Sequence, residues 1–324
     1  MRYVVTGGAG FIGSHLVERL LAEGHRVQVV DDLSTGSLAN LAGCEGDPRL
    51  EVEVATVSES ESLVRWVGEA DGVYHLAAAV GVELVVKHPI RTIETNLDET
   101  EVVLKAARGS GARVLVTSTS EVYGKSPRPA FSEEDDLIIG CPQLARWSYA
   151  CSKLMDEFLA MAYAREHGLA VTVVRLFNTV GPRQTGRYGM VVPRFVEAAL
   201  AGKPLRVYGD GTQTRCFCDV RDTVESVYRL MSCDGAVGEV VNVGTDREVS
   251  IEELAREVIS LLGSSSIIER IPYDVAYAPG FEDMLRRRPV IEKCERLTGF
   301  RPGTGLGEII ARVAEWAQRP VAGS

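Results

Sequence analysis

"VVTGGAGFIGSHL", residues 4–16, decides the fold. Tyr3, Val4 and Val5 make an apolar, strand-favouring run, and Ile12, Leu16, Leu20 and Leu21 recur at helical spacing, so the glycines fall at a strand-to-helix turn. Gly7 permits the tight turn, Gly10 lets the backbone approach a pyrophosphate, and Gly13 lets the helix pack close to the sheet while its N-terminus faces the phosphates. About 20 residues on, "VQVVDD" ends a second apolar strand in Asp31 and Asp32, where such a fold sets an acid on the adenosine ribose. A glycine turn that binds nothing has no use for that acid. Its charge also disfavours a 2′-phosphate, so the cofactor expected is NAD rather than NADP.

Strand-like segments then alternate with helical ones: "LEVEVAT" (50–56), "GVYHLAA" (72–78), "RVLVTSTS" (113–120) and "AVTVVRLFN" (170–178), with "PIRTIETNLDETEVVLKAARG" (89–109) helical between them. Alternation of this kind builds βαβ units, so the fold class expected is α/β: a Rossmann-type, doubly wound parallel sheet with ligands at the carboxyl ends of its strands. After about residue 180 the pattern loosens through "GPRQTGRYG", "VVPRFVEAALAG" and "YGDGTQTR". The division expected is an NAD-binding domain over 1–180 and a smaller C-terminal α/β substrate lobe over 181–324, with segments such as "EVVNVG" (239–244) returning to the main sheet. "SESES" (58–62) reads as a helix start capped by Ser58 or Ser60, and the tail "QRPVAGS" as frayed.

The 324 residues carry a net charge of −10, which argues against nucleic acid or an anionic membrane surface as partner. The seven cysteines (44, 141, 151, 216, 218, 233, 294) form no paired C-x-x-C and meet no histidine cluster, so no metal site is expected and a reducing cytoplasm fits best. The start "MRYVVTGG" has no apolar stretch behind a basic one, and no run reaches membrane-spanning length, so the reading is of a cytoplasmic protein.

In "YACSK", Tyr149 and Lys153 stand four apart on one face of a helix running through "LMDEFLAMAYAREHG". A lysine ammonium one turn away is expected to lower the tyrosine from its ordinary value of about 10, giving a base able to take a hydroxyl proton while NAD takes a hydride.

"TGGAGFIGSHL", "YHLAA", "TSTSEVYG", "YACSK", "RLFNTVGPR" and "YGDGTQTR" together resemble the extended short-chain dehydrogenase/reductases that act as nucleotide-sugar epimerases, dehydratases and decarboxylases, over essentially the whole chain. The resemblance implies that Thr119 holds the sugar 4-hydroxyl beside Tyr149. It also implies a cofactor site that, beyond Gly7, Gly10, Gly13, Asp31 and Asp32, takes in Phe11, Ile12, Thr56, Val57, Leu76, Ala77, Ala78 and Asn96, with Tyr149 and Lys153. Relatives usually carry an acid where this chain has Thr56 and Val57, so a weaker or altered adenine contact is expected.

Ser120 and Glu121 follow Thr119. Epimerases resembling the galactose enzyme have small or uncharged residues at these places and 4,6-dehydratases an Asp-Glu pair, whereas the Ser-Glu pair is similar to UDP-glucuronate decarboxylases. "SEEDDLIIGCPQLARWSYACSK", "TRCFCDVRD" and "GFEDMLRRRP" resemble the decarboxylase domain of the bifunctional polymyxin-resistance enzyme and the UDP-apiose/UDP-xylose synthases. By that similarity Arg287 is the active-site arginine, although "RRR" also reads as a solvated basic run. The apiose/xylose synthases have a cysteine in place of Ser120, which disfavours ring contraction.

The resemblance further places Asn178, Arg183, Val192 and Arg215 with Arg287 at the nucleotide sugar, Arg183 being equally readable as a loop stabiliser. The reaction implied is oxidation at C4, then loss of the C6 carboxylate, with Glu121 and Arg287 orienting the carboxylate and Ser120 or a held water helping to reprotonate C5. Rival readings are a UDP-glucuronate 4-epimerase, a 4,6-dehydratase and a non-catalytic NAD-binding regulator. The family also implies a homodimer through two helices, although their apolar residues Leu97, Val102, Leu104, Leu154, Phe158 and Ala162 equally suit an ordinary core.

Overall fold

The computed structural model describes residues 1–79, 88–186, 190–276 and 284–319. The ends of "GPRQTGRYG" (187–189) and of the tail (320–324), and residues 280–283 of the "GFEDM" stretch, lie outside the described residues.

Seven parallel strands form the central sheet: β1 (Arg2–Thr6), β2 (Arg26–Asp31), β3 (Leu50–Val54), β4 (Gly72–His75), β5 (Arg113–Thr119), β6 (Val171–Leu176) and, beyond four short strands outside this sheet, β11 (Val240–Val243). Their order is β11-β6-β5-β4-β1-β2-β3. The direction of winding reverses between β1 and β4, so the carboxyl ends of these strands open a crevice there.

Side chains along β1 alternate between two cores. Tyr3 and Val5 join the layer of α1 (Phe11–Ala22), and Val4 joins the layer of α2 (Leu63–Glu69), α3 (Pro89–Ala107) and α4 (Arg146–His167). The first cap differs from expectation. α2 begins at Leu63 behind Ser62, and Ser60 Oγ accepts from Leu63 N at 3.1 Å while donating to Glu53.

β7 (Thr179–Val180), α5 (Val191–Leu200), β8 (Leu205–Tyr208), β9 (Thr214–Cys216) and β10 (Cys218–Asp219) follow β6. α6 (Val220–Met231) then packs back on α1, which carries the chain into β11 beside β6. β12 (Glu248–Ser250) pairs antiparallel with β9, α7 (Ile251–Leu261) starts on a Ser250–Glu253 capping box, and β13 (Ile268–Ile271) pairs with β8. α8 (Glu292–Thr298) precedes α9 (Leu306–Ala317), which closes a separate core with Phe195, Leu254, Ile309 and Ile310.

A fourth cluster, with Val122, Tyr123, Phe131, Trp147, Phe177 and Met284, joins the end of β5 to the C-terminal segment. Phe131 N donates to Arg288 O at 2.8 Å, and Val290 N donates to Phe131 O at 2.8 Å, so this seam fixes the chain on both sides of Pro289. Among the described residues no helix is long and apolar enough to cross a membrane.

Of the six apolar residues on the two paired helices, Leu104 is fully buried in the α3 core, because its position on the helix faces the sheet. Phe158 is 59% exposed, and Met155 on the same helix and Ile90 on α3 are exposed as well.

Candidate active site

A cleft of about 650 Å³ runs along the carboxyl ends of the sheet into the C-terminal lobe. At one end Gly7 has φ +71°, and a Cβ there would sit 2.8 Å from Ala77 N, so only glycine lets the turn lie against the β4 end. A Cβ on Gly13 would strike Gly7 O. Gly10 caps α1 without any side chain, leaving the helix N-terminus open toward the cleft that Phe11 and Ile12 line. These residues fit a dinucleotide pyrophosphate.

Asp31 and Asp32 also line this end. Asp31 is buried, and its carboxylate accepts from Ala9 N at 2.9 Å and Leu33 N at 2.8 Å; burial raises its pKa against the pull of those amides. Asp32 accepts from Ser34 N and Oγ. Thr56, Val57, Leu76, Ala77 and Ala78 line the same wall, and Thr56 Oγ1 donates to Glu59 at 2.9 Å. Asn96 is set behind the wall: its Oδ1 accepts from Ala79 N at 2.8 Å and its Nδ2 donates to Ser152 at 3.0 Å, so it ties α3 to α4 and does not face the cleft.

Thr119, Glu121, Tyr149 and Lys153 meet on the opposite wall, where β5 ends and α4 begins. Thr119 Oγ1 accepts from Glu121 N at 3.2 Å, opening a tight turn over Ser120–Tyr123, and the Thr119 hydroxyl hydrogen-bonds Tyr149. The tyrosine differs from the expectation of a lowered pKa. Burial raises it, the carboxylates of Glu121 and Asp156 raise it further, and Thr119 and Arg287 only partly oppose them. Lys153 Nζ donates to Asp156 at 2.7 Å with both side chains buried, so its charge is already matched.

Arg287 reaches this wall from the C-terminal segment. Its Nη2 donates to Ser120 Oγ at 2.7 Å and its Nη1 lies 3.5 Å from Glu121 Oε1, with the guanidinium only 12% exposed. The reading of a solvated basic run therefore fails for Arg287, while Arg286 in the same run is half exposed and paired with Glu248. Ser120 is fully buried behind Arg287 and does not line the cleft, so its hydroxyl is placed to hold the arginine rather than to protonate a sugar carbon.

Asn178, Arg183, Val192 and Arg215 line the cleft farther out. Asn178 Nδ2 donates to Cys216 O at 3.5 Å and Arg215 Nη1 to Thr214 O at 2.8 Å. Arg183 has φ +71° and pairs with Glu18, which makes it a fastener between its loop and α1 as well as a cleft residue.

Asp156 escaped the sequence reading, because nothing in its spacing sets it apart from the neighbouring Glu157. Arg194 and Tyr208 also line the cleft, with Arg194 Nη2 donating to Tyr208 at 2.9 Å. They sit on separate elements, α5 and β8, and meet through this side-chain contact, so no local motif announced them.

Comparison with known proteins agrees with this geometry. Residues 3–244 match the NAD dependent epimerase/dehydratase family. The chain is 41% identical to a UDP-N-acetyl-alpha-D-glucosaminuronate decarboxylase of Bacillus cytotoxicus, covering 97% of each chain. It is 38% identical to UDP-glucuronic acid decarboxylase 3 of Arabidopsis thaliana, covering 95% of this chain and 86% of the relative. Among solved structures it superposes on a UDP-glucuronic acid 4-epimerase of Bacillus cereus bound to UDP-glucuronic acid and NAD, with TM-score 0.88, 27% identity, and 98% and 99% coverage. It does so also on a dTDP-glucose 4,6-dehydratase of Streptomyces venezuelae with NAD bound, with TM-score 0.87, 32% identity, and 98% and 96% coverage. With its glycine cradle, its acid after β2 and its match over most of the length, the chain belongs to the NAD-dependent epimerase/dehydratase family and takes NAD as its cofactor.

Proposed function

We propose that the protein decarboxylates UDP-glucuronic acid through a 4-keto intermediate. The observation that carries this reading is the Arg287 guanidinium, nearly buried against Ser120 and Glu121 beside Tyr149, a cation suited to a sugar carboxylate.

Bound at the glycine cradle, NAD supplies oxidation at the sugar C4. Tyr149, hydrogen-bonded to Thr119, takes the C4 hydroxyl proton, and Lys153 holds its positive charge beneath the reacting centre. A ketone at C4 stands β to the C6 carboxylate, so carbon dioxide leaves with its bonding electrons delocalised onto the ketone oxygen. Arg287 orients the departing carboxylate and Glu121 steers the arginine; Tyr149, now protonated, faces the developing enolate, and a held water gives C5 the proton that restores the 4-ketone. Asn178 and Arg215 bind the diphosphate, with Val192 packing against the nucleotide side.

A second substrate is favoured by one finding: the relative 41% identical over nearly the full length is named for a UDP-N-acetylglucosaminuronate. Both substrates share the C4 hydroxyl and C6 carboxylate on which the chemistry rests. Incubating the purified protein and NAD separately with each, and following carbon dioxide and the sugar-nucleotide mass, tests the proposal and chooses between them. Loss of one carbon dioxide supports decarboxylation; an unchanged mass with inverted C4 replaces it with epimerisation. A sugar product released with NADH accumulating marks a 4-keto pentose, whereas transient NADH marks the reduced pentose.

The exposed Ile90, Met155 and Phe158 on α3 and α4 support a homodimer through these helices, and Phe158→Asp is expected to halve the mass seen in sedimentation. The seven cysteines, all thiols, support a reducing cytoplasmic location, which cell fractionation checks.

A further inference from the structure

Two carboxylates bear on Tyr149, and only Glu121 figures in the chemistry above. We infer that Asp156 is the counter-ion that anchors Lys153 and thereby sets the pH at which Tyr149 gives up its proton. The geometry carries this: Lys153 Nζ and Asp156 Oδ2 are 2.7 Å apart, three residues apart on α4, with side-chain exposures of 2% and 0%. Bulk solvent scarcely reaches a pair so placed, so its field toward the cleft is only weakly screened.

The lysine lies on the cleft, whereas its carboxylate partner lies behind it. An ammonium has three N–H donors. One is held by Asp156, which fixes where Nζ sits and leaves the other two free to turn toward the cleft. The carboxylate at the same time offsets the lysine charge, so Tyr149 experiences the pair rather than a bare cation.

The charged and titratable groups facing this corner come from four sides. Tyr149, Lys153, Asp156 and Glu157 belong to α4, and Glu121 to the turn after β5. Arg287 approaches from the C-terminal segment, and His75 from the end of β4. His75 is held neutral: its ring bridges Thr6 Oγ1 at 2.8 Å and Thr100 Oγ1 at 3.1 Å, and burial, reinforced by Lys153, takes its pKa down to about 3. Glu157 is spent on Arg175, to which it gives a two-pronged contact. Asp156 is then the carboxylate that answers Lys153.

Loss of the Asp156 charge removes one of the influences that raise Tyr149 and leaves Lys153 unmatched, and both changes favour the phenolate. The acid limb of the pH profile of kcat/KM, where Tyr149 must lose its proton, therefore moves to lower pH. Asp156→Asn in the holoenzyme is expected to move that limb down by about one pH unit and to lower kcat several-fold because a neutral acceptor holds Nζ less firmly than a carboxylate. Asp156→Glu keeps the charge and is expected to hold the limb near the wild-type position.

If Asp156→Asn does not fold, Asp156→Ser carries the same expectation, since serine still accepts from Nζ and leaves room for a water. A neutral variant whose limb coincides with that of the wild type overturns the proposal however much activity it loses, because a structural defect lowers the rate without moving the limb. A Glu variant displaced as far as the neutral ones overturns it too. Wild-type turnover reports on the proposed reaction, while displacement between variants reports on Asp156 alone.

Discussion

Asp156 and Glu157 are consecutive on α4, and each accepts from a buried cation, yet the two pairs belong to different parts of the molecule. Lys153–Asp156 stands at the wall of the cleft. Arg175–Glu157 lies beneath it: Arg175 on β6 contacts Glu157 at 2.8 Å and donates to Tyr123 at 3.0 Å, Ser118 donates to Glu157 at 2.5 Å, and Tyr123 donates to Asn242 at 2.8 Å. Asn242 Nδ2 then donates to Phe131 O at 3.0 Å and Val290 O at 3.3 Å. This second network links β6, α4, the turn carrying Glu121 and the segment carrying Arg287. A pair with an open side can bias chemistry, whereas a pair enclosed by partners fixes the distances at which the chemistry happens.

The sharpest break in that comparison is on the cleft side. Tyr149→Phe is expected to lower turnover about 10³-fold, about 4 kcal/mol of transition-state stabilisation, with the thermal midpoint unmoved. Steady-state rates beside a melting curve check it, and a variant keeping a tenth of wild-type activity would remove Tyr149 as the base.

Next in size comes the enclosed pair. Glu157→Gln leaves Arg175 buried and uncompensated, so stability is expected to fall by about 3–5 kcal/mol in urea denaturation. A loss no greater than that of an exposed pair such as Lys105–Glu101 would mean the network is not closed.

Asn242→Ala should cost about 1–3 kcal/mol, since it strips partners from Phe131 O, Val290 O and the Tyr123 hydroxyl. It should also raise KM for the sugar nucleotide, because the Arg287 segment loses a fastening; unchanged kinetics beside that stability loss would confine Asn242 to the scaffold.

At neutral pH the smallest effect on stability belongs to His75, whose contribution shows only on the acid side. His75 in the folded protein sits at about 3 against an ordinary 6.5, so between these values the unfolded chain binds the proton and the folded chain does not. Stability is thus full above about pH 6.5 and falls toward pH 3, by at most about 1.4 kcal/mol per pH unit from this group. Replacing His75 by Gln should flatten the acid side of a stability-pH curve, and an equally steep curve would show that the imidazole is protonated in place.

Most of the cofactor half was legible in the chain. The glycine spacing, Asp31 at the end of its apolar run, the β-branched runs and the "YACSK" pair are each set by residues close together in the chain, so a local pattern carries them. Asn96 and Ser120 show where that reading stops: both are polar and near the right motif, but a side chain's direction depends on the neighbouring element. Leu104 faces the sheet and Phe158 solvent for the same reason.

By itself, then, the sequence determined the parallel sheet, the dinucleotide cradle and the tyrosine-lysine helix, because strand and helix periods and glycine geometry act over short stretches. Only the tertiary structure decided that Arg287 meets Ser120 across 167 residues of chain, and that the lysine beside Tyr149 is answered by Asp156 and not Glu157. Which charges face one another, and how dry they are, is settled when distant segments pack, and charge acts through that packing rather than through spacing along the chain.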